Sequence, residues 1–149
     1  MQYTTNHEPV GGALDFCVRL TKANAAISRR FDGRLGTFHG LSFGDFVVLL
    51  HLSAAREGRL RRVDLAQQLG LTPSAVTRIL IPLEKIGLVT RERDARDARV
   101  GYAVLTHTGA ETLARARESA EVISQELIPP TAVSQLARLS DALTLLAGR

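Results

Sequence analysis

Two short stretches of this 149-residue chain carry side chains spaced for chemistry. In the first, Thr72-Pro73 leads into Ser74, Thr77 and Arg78, donors that share one face if residues 73–86 are helical. In the second, Arg96 and Arg99 each follow an aspartate by two places, Asp94 and Asp97. Hydroxyl and guanidinium donors with no convergent acid–base–nucleophile set suit recognition of a phosphate-rich polyanion better than bond breaking. The charge distribution agrees. Residues 56–99 hold ten basic and six acidic side chains, and the remainder balances, so the whole net charge of +4 lies in that stretch.

Other chemistry finds little support. His7, His39, His51 and His107 fall on a tail, a loop, an apolar helix face and a helix start, and none stands at metal-ligand spacing from another His or Cys. His51 reads as a core or pocket histidine. No glycine-rich phosphate loop follows a strand, and neither GxSxG nor HExxH occurs. We expect no enzyme, no metal and no cofactor. The single cysteine, Cys17, excludes an intrachain disulfide framework. No apolar run approaches the ~18 residues that would span a bilayer, and the N-terminus lacks a signal pattern, so no membrane partner and a cytoplasmic location are expected.

The elements that must position these residues follow from periodicity and caps. After a polar tail, Leu14, Cys17, Leu20, Asn24, Ile27, Phe31 and Leu35 step by three and four, predicting an amphipathic helix that ends in a loop over 36–40. Ser42 caps a second helix with Phe43, Phe46, Val47, Leu50 and Ala54 inward, and Gly58 breaks it. A short helix over 62–69 turns Val63, Ala66 and Leu69 inward and closes on Gly70. Thr72 and Pro73 then start a helix whose inward stripe is Val76, Ile79, Leu80, Leu83 and Ile86, with Gly87 after its last turn. Helix, tight turn, helix is the helix-turn-helix outline, whose second helix enters a major groove by its first residues.

Residues 88–93 and 100–105 are β-prone runs joined by the charged tip 94–99. A hairpin in that place is a wing, and an arginine at its tip fits a narrow minor groove, with the nearby aspartate setting its direction. Thr106 or Thr108 caps a long helix, Thr108 and Glu111 being spaced as a capping box, with Leu113, Ala116, Ala120 and Ile123 along one side. Pro129-Pro130 stop it. A last helix carries Val133, Leu136, Leu139, Leu143 and Leu146 in a narrow seam. The first and last helices present more apolar stripe than a winged module of ~65 residues can cover, and leaving it in water would forfeit several kcal/mol at ~25 cal/mol per Å². We therefore expect a homodimer, with Leu14, Leu20, Leu136, Leu139, Leu143 and Leu146 at its interface. The expected fold is mainly α with a small β-hairpin wing: an arm and dimerisation helix over 1–40, a winged helix-turn-helix over 41–106, and dimerisation helices over 107–149.

The pattern Leu65-Ala66…Leu69-Gly70, Thr72-Pro73-Ser74-Ala75-Val76-Thr77-Arg78 and Leu83-Glu84…Gly87-Leu88-Val89, closing with Asp97-Ala98-Arg99 and Leu105-Thr106-His107-Thr108-Gly109, resembles the MarR family of winged-helix transcriptional regulators. The resemblance implies a homodimer with intertwined terminal helices, whose two recognition helices occupy successive major grooves of a pseudo-palindrome in double-stranded DNA. It implies that Ser74, Thr77 and Arg78 face DNA beside Thr72, that Arg99 enters the minor groove with Arg96 nearby, and that Asp97 orients Arg99. Pro82 departs from the pattern: it cannot donate to the Arg78 carbonyl, and beside Ile81 it confines readout to the first two turns of its helix.

The resemblance also implies a small aromatic or amphipathic effector bound between the dimerising helices and the winged module, lined here by Phe31, Phe43, Phe46 and His51. Cys17 lies close to where the organic-hydroperoxide-responsive branch of the family keeps a reactive cysteine. Phe31 and Phe43 stand where that branch has two tyrosines, so both thiolate-binding hydroxyls are missing and a structural cysteine is expected. The expected function is a dimeric repressor released from its operator by a small molecule. The alternatives are a winged-helix protein-interaction module that has given up DNA, and a peroxide sensor built on Cys17.

Overall fold

A computed structural model describes residues 11–148; the N-terminal tail, with His7, lies outside the described residues. The chain forms α1 (Ala13–His39), α2 (Phe43–Ala54), β1 (Arg59–Arg61), α3 (Arg62–Leu69), α4 (Pro73–Lys85), β2 (Val89–Arg93), β3 (Gly101–Leu105), α5 (His107–Leu127), α6 (Pro130–Val133) and α7 (Leu136–Ala147). No single helix among the described residues is long and apolar enough to cross a membrane.

The α1 helix runs a turn beyond its expected end. The segment expected as a loop stays helical to His39 and stops at Gly40, whose φ of +66° is the left-handed geometry that glycine adopts without strain. Tertiary contact holds that last turn, because His39 Nε2 and Ser119 Oγ of α5 share a 2.8 Å hydrogen bond. Further back, Arg30 and Arg34 of α1 both reach Glu126 of α5, at 3.1 and 2.7 Å. Those two guanidinium groups hold the Glu126 carboxyl below its usual pKa. Periodicity could not foresee this antiparallel clasp, since it joins residues more than ninety apart in sequence.

Ser42 closes a full capping box on α2, accepting from the Asp45 amide at 3.0 Å while Asp45 accepts from the Ser42 amide at 2.9 Å. The helix is more enclosed than a single stripe implies. Val48, Leu49 and Leu52 are fully buried, whereas Phe43, Val47 and Leu50 of the expected stripe are half-buried and Ala54 is exposed. α2 lies at the centre of the molecule, touching α1, α3, α4, α5 and the sheet, so nearly every face meets protein.

In α3 the expected inward Val63 is 56% exposed and Leu65 is buried in its place. The helix starts directly from a strand, which rotates it relative to a freely capped one. That strand, β1, escaped the sequence pattern: three residues pair antiparallel with β3, Arg59 opposite Val104 and Arg61 opposite Tyr102, making a three-stranded sheet in the order β1-β3-β2. Its pairing comes from the far side of the wing, and three residues cannot display a period of two.

The best-signalled elements form as expected. Gly70, at φ +64°, ends α3 with its own amide on the Gln67 carbonyl and that of Leu71 on the Ala66 carbonyl. Thr72 Oγ1 then accepts from the Ala75 amide at 3.2 Å to start α4 on Pro73. Val76, Leu80 and Leu83 are buried, while Ile86, expected inward, is 59% exposed because it caps the helix rather than continuing it. The helix runs through Pro82, whose carbonyl still accepts from the Ile86 amide at 3.2 Å.

Thr106 rather than Thr108 caps α5, so the expected Thr108–Glu111 box does not form; Glu111 lies 3.3 Å from His107 instead. Thr106 is chosen because its hydroxyl serves two partners, donating to the Gly87 carbonyl at 2.6 Å and accepting from the Gly109 amide at 3.0 Å. Leu113, Ala116, Ala120 and Ile123 are buried as the stripe predicts. The final apolar segment is two pieces, with Val133 on α6 and the remaining leucines on α7. Within the single chain, Leu14, Leu136, Leu139, Leu143 and Leu146 are exposed and Leu20 is half-buried, and Phe16, Val18 and Leu145 are exposed as well.

Candidate nucleic-acid interface

The start of α4 and the wing face each other across a groove of about 360 Å³ lined by Arg61, Arg62, Val63, Pro73, Ser74, Thr77, Arg99, Val100 and Gly101. Four elements, β1, α3, α4 and β3, and the wing loop contribute to it, which is why no local pattern outlines it. Ser74 and Arg78 are exposed on the first turns of α4, as is the capping residue Thr72. Thr77 is half-buried and its hydroxyl is engaged, donating to the Pro73 carbonyl at 3.0 Å and accepting from Arg62 Nη1 at 3.3 Å. Arg61 is paired with Asp64 at 2.7 Å, which raises its pKa. The sequence signals Arg61 and Arg62 only through the basic run Arg59-Leu60-Arg61-Arg62, which β1 places beside the wing.

The wing tip is shaped by its two aspartates. Asp94 Oδ1 accepts from the amides of Arg96 at 2.7 Å and Asp97 at 3.1 Å, and Asp94 Oδ2 accepts from the Tyr102 hydroxyl at 3.2 Å. The two backbone hydrogen bonds hold the Asp94 carboxyl below its usual pKa, so it stays ionised and keeps the turn. Asp97 accepts from the Arg99 amide at 3.0 Å and lies 3.8 Å from its guanidinium. The Arg99 side chain is 96% exposed, and Arg96 is exposed at the same tip. Beneath them Arg59 lies against the Tyr102 ring, 4.8 Å from its centroid, and pairs with Glu57 and Glu92. A turn fixed by carboxylates therefore presents two arginines outward.

A separate cavity of about 240 Å³ opens between α1, α2 and α5. Phe31, Phe43 and Phe46 line it with Val47, Leu50, Arg117, Ala120, Glu121 and Ser124. Phe31 and Phe43 stack with ring centroids 4.1 Å apart, and Phe43 lies 6.4 Å from Phe46. His51, grouped with them from the sequence, is half-buried on α2 but is not among the lining residues. Cys17 is exposed on α1.

Helix, tight turn and recognition helix, followed at once by a sheet-anchored hairpin with arginines at its tip, make this a winged helix-turn-helix protein. Residues 41–100 match the MarR family, about two fifths of the 149-residue chain. It is 33% identical over 92 residues to the HTH-type transcriptional repressor YetL of Bacillus subtilis, a match covering 62% of this chain and 52% of that protein, so the chain spans about half the length of that relative. Among solved structures, AbsC, a MarR family transcriptional regulator from Streptomyces coelicolor, is 27% identical with a TM-score of 0.73, covering 94% of this chain and 96% of AbsC. Sco3205, another MarR family regulator from the same organism and solved in complex with DNA, superposes with a TM-score of 0.77 at 23% identity over 93% of this chain and 91% of its own.

Proposed function

We propose that the protein is a cytoplasmic, homodimeric transcriptional repressor that binds a pseudo-palindromic operator in double-stranded DNA and is released by a small aromatic or amphipathic effector. One observation carries the reading: Ser74 of α4 and Arg99 of the wing line a single cationic groove with Arg61 and Arg62, and Arg78 and Arg96 are exposed on the same two elements. Ser74 and Arg78 are suited to base edges, Arg99 and Arg96 to the minor groove beside them, with Asp97 steering Arg99 and Thr72 at the helix entry. A relative named as a repressor and a fold neighbour solved on DNA support it.

The exposed apolar residues of α1 and of α7 support a dimer. Leu14 is 69% and Leu146 54% exposed in the single chain, and burying such residues on a second copy is worth ~25 cal/mol per Å². Two copies then offer two recognition helices to one duplex, at half-sites about 34 Å apart. The phenylalanine-lined cavity lies where α1 and α5 meet α2, so a ligand there alters the angle between the dimerising helices and the winged module; release is a population shift toward a dimer that no longer matches one turn of DNA.

The test is a fluorescence anisotropy titration of the dimer against DNA upstream of its own gene and against unrelated DNA, across a salt series. Tight binding to the first, steeply weakened by salt, is expected. Equal, weak binding to both, or a monomer by sedimentation at micromolar concentration, refutes the reading and leaves a winged-helix protein-interaction module.

A further inference from the structure

Three arginines among the described residues are half-buried: Arg34, Arg59 and Arg62. Two have carboxylates. Arg34 lies 2.7 Å from Glu126, and Arg59 lies 3.3 Å from Glu57 and 3.5 Å from Glu92. Arg62 has none within 4.0 Å among the described residues, and its one side-chain partner is the neutral Thr77 hydroxyl at 3.3 Å. A cation partly withdrawn from water without a counter-charge is unfavourable, so the arrangement implies that the counter-charge comes from outside the chain.

The surroundings say what kind of anion fits. Arg62 stands at the first position of α3, directly after β1. Its guanidinium spans from Thr77 on α4 to Gly101 on β3, where an added Cβ would come within 3.4 Å of Nη2. The fork thus lines the groove between α4 and β3, together with Ser74 and Arg99. A guanidinium keeps five N–H donors, of which one is used here, and its fork matches a phosphate's oxygens.

Resting on the DNA-binding reading above, we propose that Arg62 seats one backbone phosphate of the duplex in each half-site, between recognition helix and wing. Thr77 positions Arg62, rather than reading a base through its hydroxyl. The contact joins α3, α4 and β3, so the same phosphate sets the angle at which the wing approaches the minor groove. Such a contact positions the protein on DNA without reading sequence.

The experiment uses the full chain on operator and unrelated duplexes, with Arg62→Ala, Arg62→Lys and a scan of single neutral methylphosphonates along each strand. Arg62→Ala is expected to weaken binding to both duplexes by a similar factor, about 10–100-fold, and to lower the salt slope by about one per protomer. Arg62→Lys, which keeps the charge but not the fork, should retain the salt slope with weaker affinity. One methylphosphonate position per half-site should harm the wild type and be silent in Arg62→Ala. Overturning results are an unchanged salt slope in Arg62→Ala, or a wild-type methylphosphonate profile in that variant. Wild-type protein that binds neither duplex fails at the first titration and overturns the regulator reading with this one; wild type that binds while Arg62 variants match it overturns the phosphate seat alone.

Discussion

Gly109 is the tightest point between the wing and α5, and replacing it by alanine tests how the two are joined. A Cβ at this position meets the Leu88 carbonyl oxygen head-on and comes within 2.8 Å of Leu105 Cδ1. In an open helix the change would stabilise by about 1 kcal/mol, because alanine is the better helix former. Here the obstacle is backbone, which cannot rotate aside. Relief requires α5 to move away from the start of β2, giving up the Thr106 amide bond to the Leu88 carbonyl (3.1 Å) and the Thr106 hydroxyl bond to the Gly87 carbonyl (2.6 Å). Two hydrogen bonds at ~1 kcal/mol each, with ~1–3 kcal/mol of overpacking, outweigh the helix gain and leave a net loss of ~2–4 kcal/mol. With a urea dependence of ~2 kcal/mol per molar, the unfolding midpoint should fall by ~1–2 M at equal protomer concentration. A midpoint within ~0.2 M of the wild type, or a higher one, would show that α5 and the wing slide freely against each other and that this joint does not hold the wing's orientation.

Three further outcomes are expected. Arg99→Ala should lose ~1–3 kcal/mol of operator affinity with a shallower salt slope, while its unfolding midpoint stays unchanged because the side chain is 96% exposed; a loss of only a few tenths removes the wing from the interface. Thr72→Ala deletes the hydroxyl that accepts from the Ala75 amide and should destabilise by ~1 kcal/mol in urea unfolding, with Thr72→Ser restoring most of it. Asp94 has a folded pKa below its ordinary value of 3.8, so its contribution to the wing turn is complete above that value and is lost as pH falls through the lowered one. Amide shifts of Arg96 and Asp97 in an acid titration should therefore inflect below pH 3.8, and an inflection at or above it contradicts the turn geometry.

The elements legible from sequence are those whose ends are written in local chemistry. Thr72-Pro73, Gly70 and the hairpin around Asp94 and Asp97 each satisfy their own backbone groups within a few residues, so their types alone locate them. Where the deciding contact is remote, the pattern misleads. Val63 and Leu65 exchanged roles because β1 sets the rotation of α3, and β1 exists only through β3 some forty residues later. The α2 stripe was drawn for a helix with one covered side, whereas this one is covered nearly all round. The proposed DNA-facing surface divides in the same way. Ser74, Arg78, Arg96 and Arg99 could be named because an exposed donor on a known element needs no partner to be recognised. Arg62 could not, because its character comes from what does not pair with it.

That asymmetry bears on how the surface works. Charges at the tip of the wing are long, exposed and weakly held, so in the proposed complex they would gain affinity from steering and counterion release while leaving the fold unaffected. Arg62 sits deeper, tied to the side chain of one element and packed against the backbone of another, and its charge is compensated only when an anion arrives. An anion in that place strengthens contacts to α4 and β3 together, so the recognition helix and wing gain order as one unit. Under the proposed function, an effector in the phenylalanine cavity that moved α1 and α5 against α2 would reach the same unit through the Thr106–Gly109 joint with the wing. Two ligands of opposite effect would then compete over a single geometric variable, the angle of the winged module to the dimer helices, and by linkage each would weaken the other's binding by the same factor.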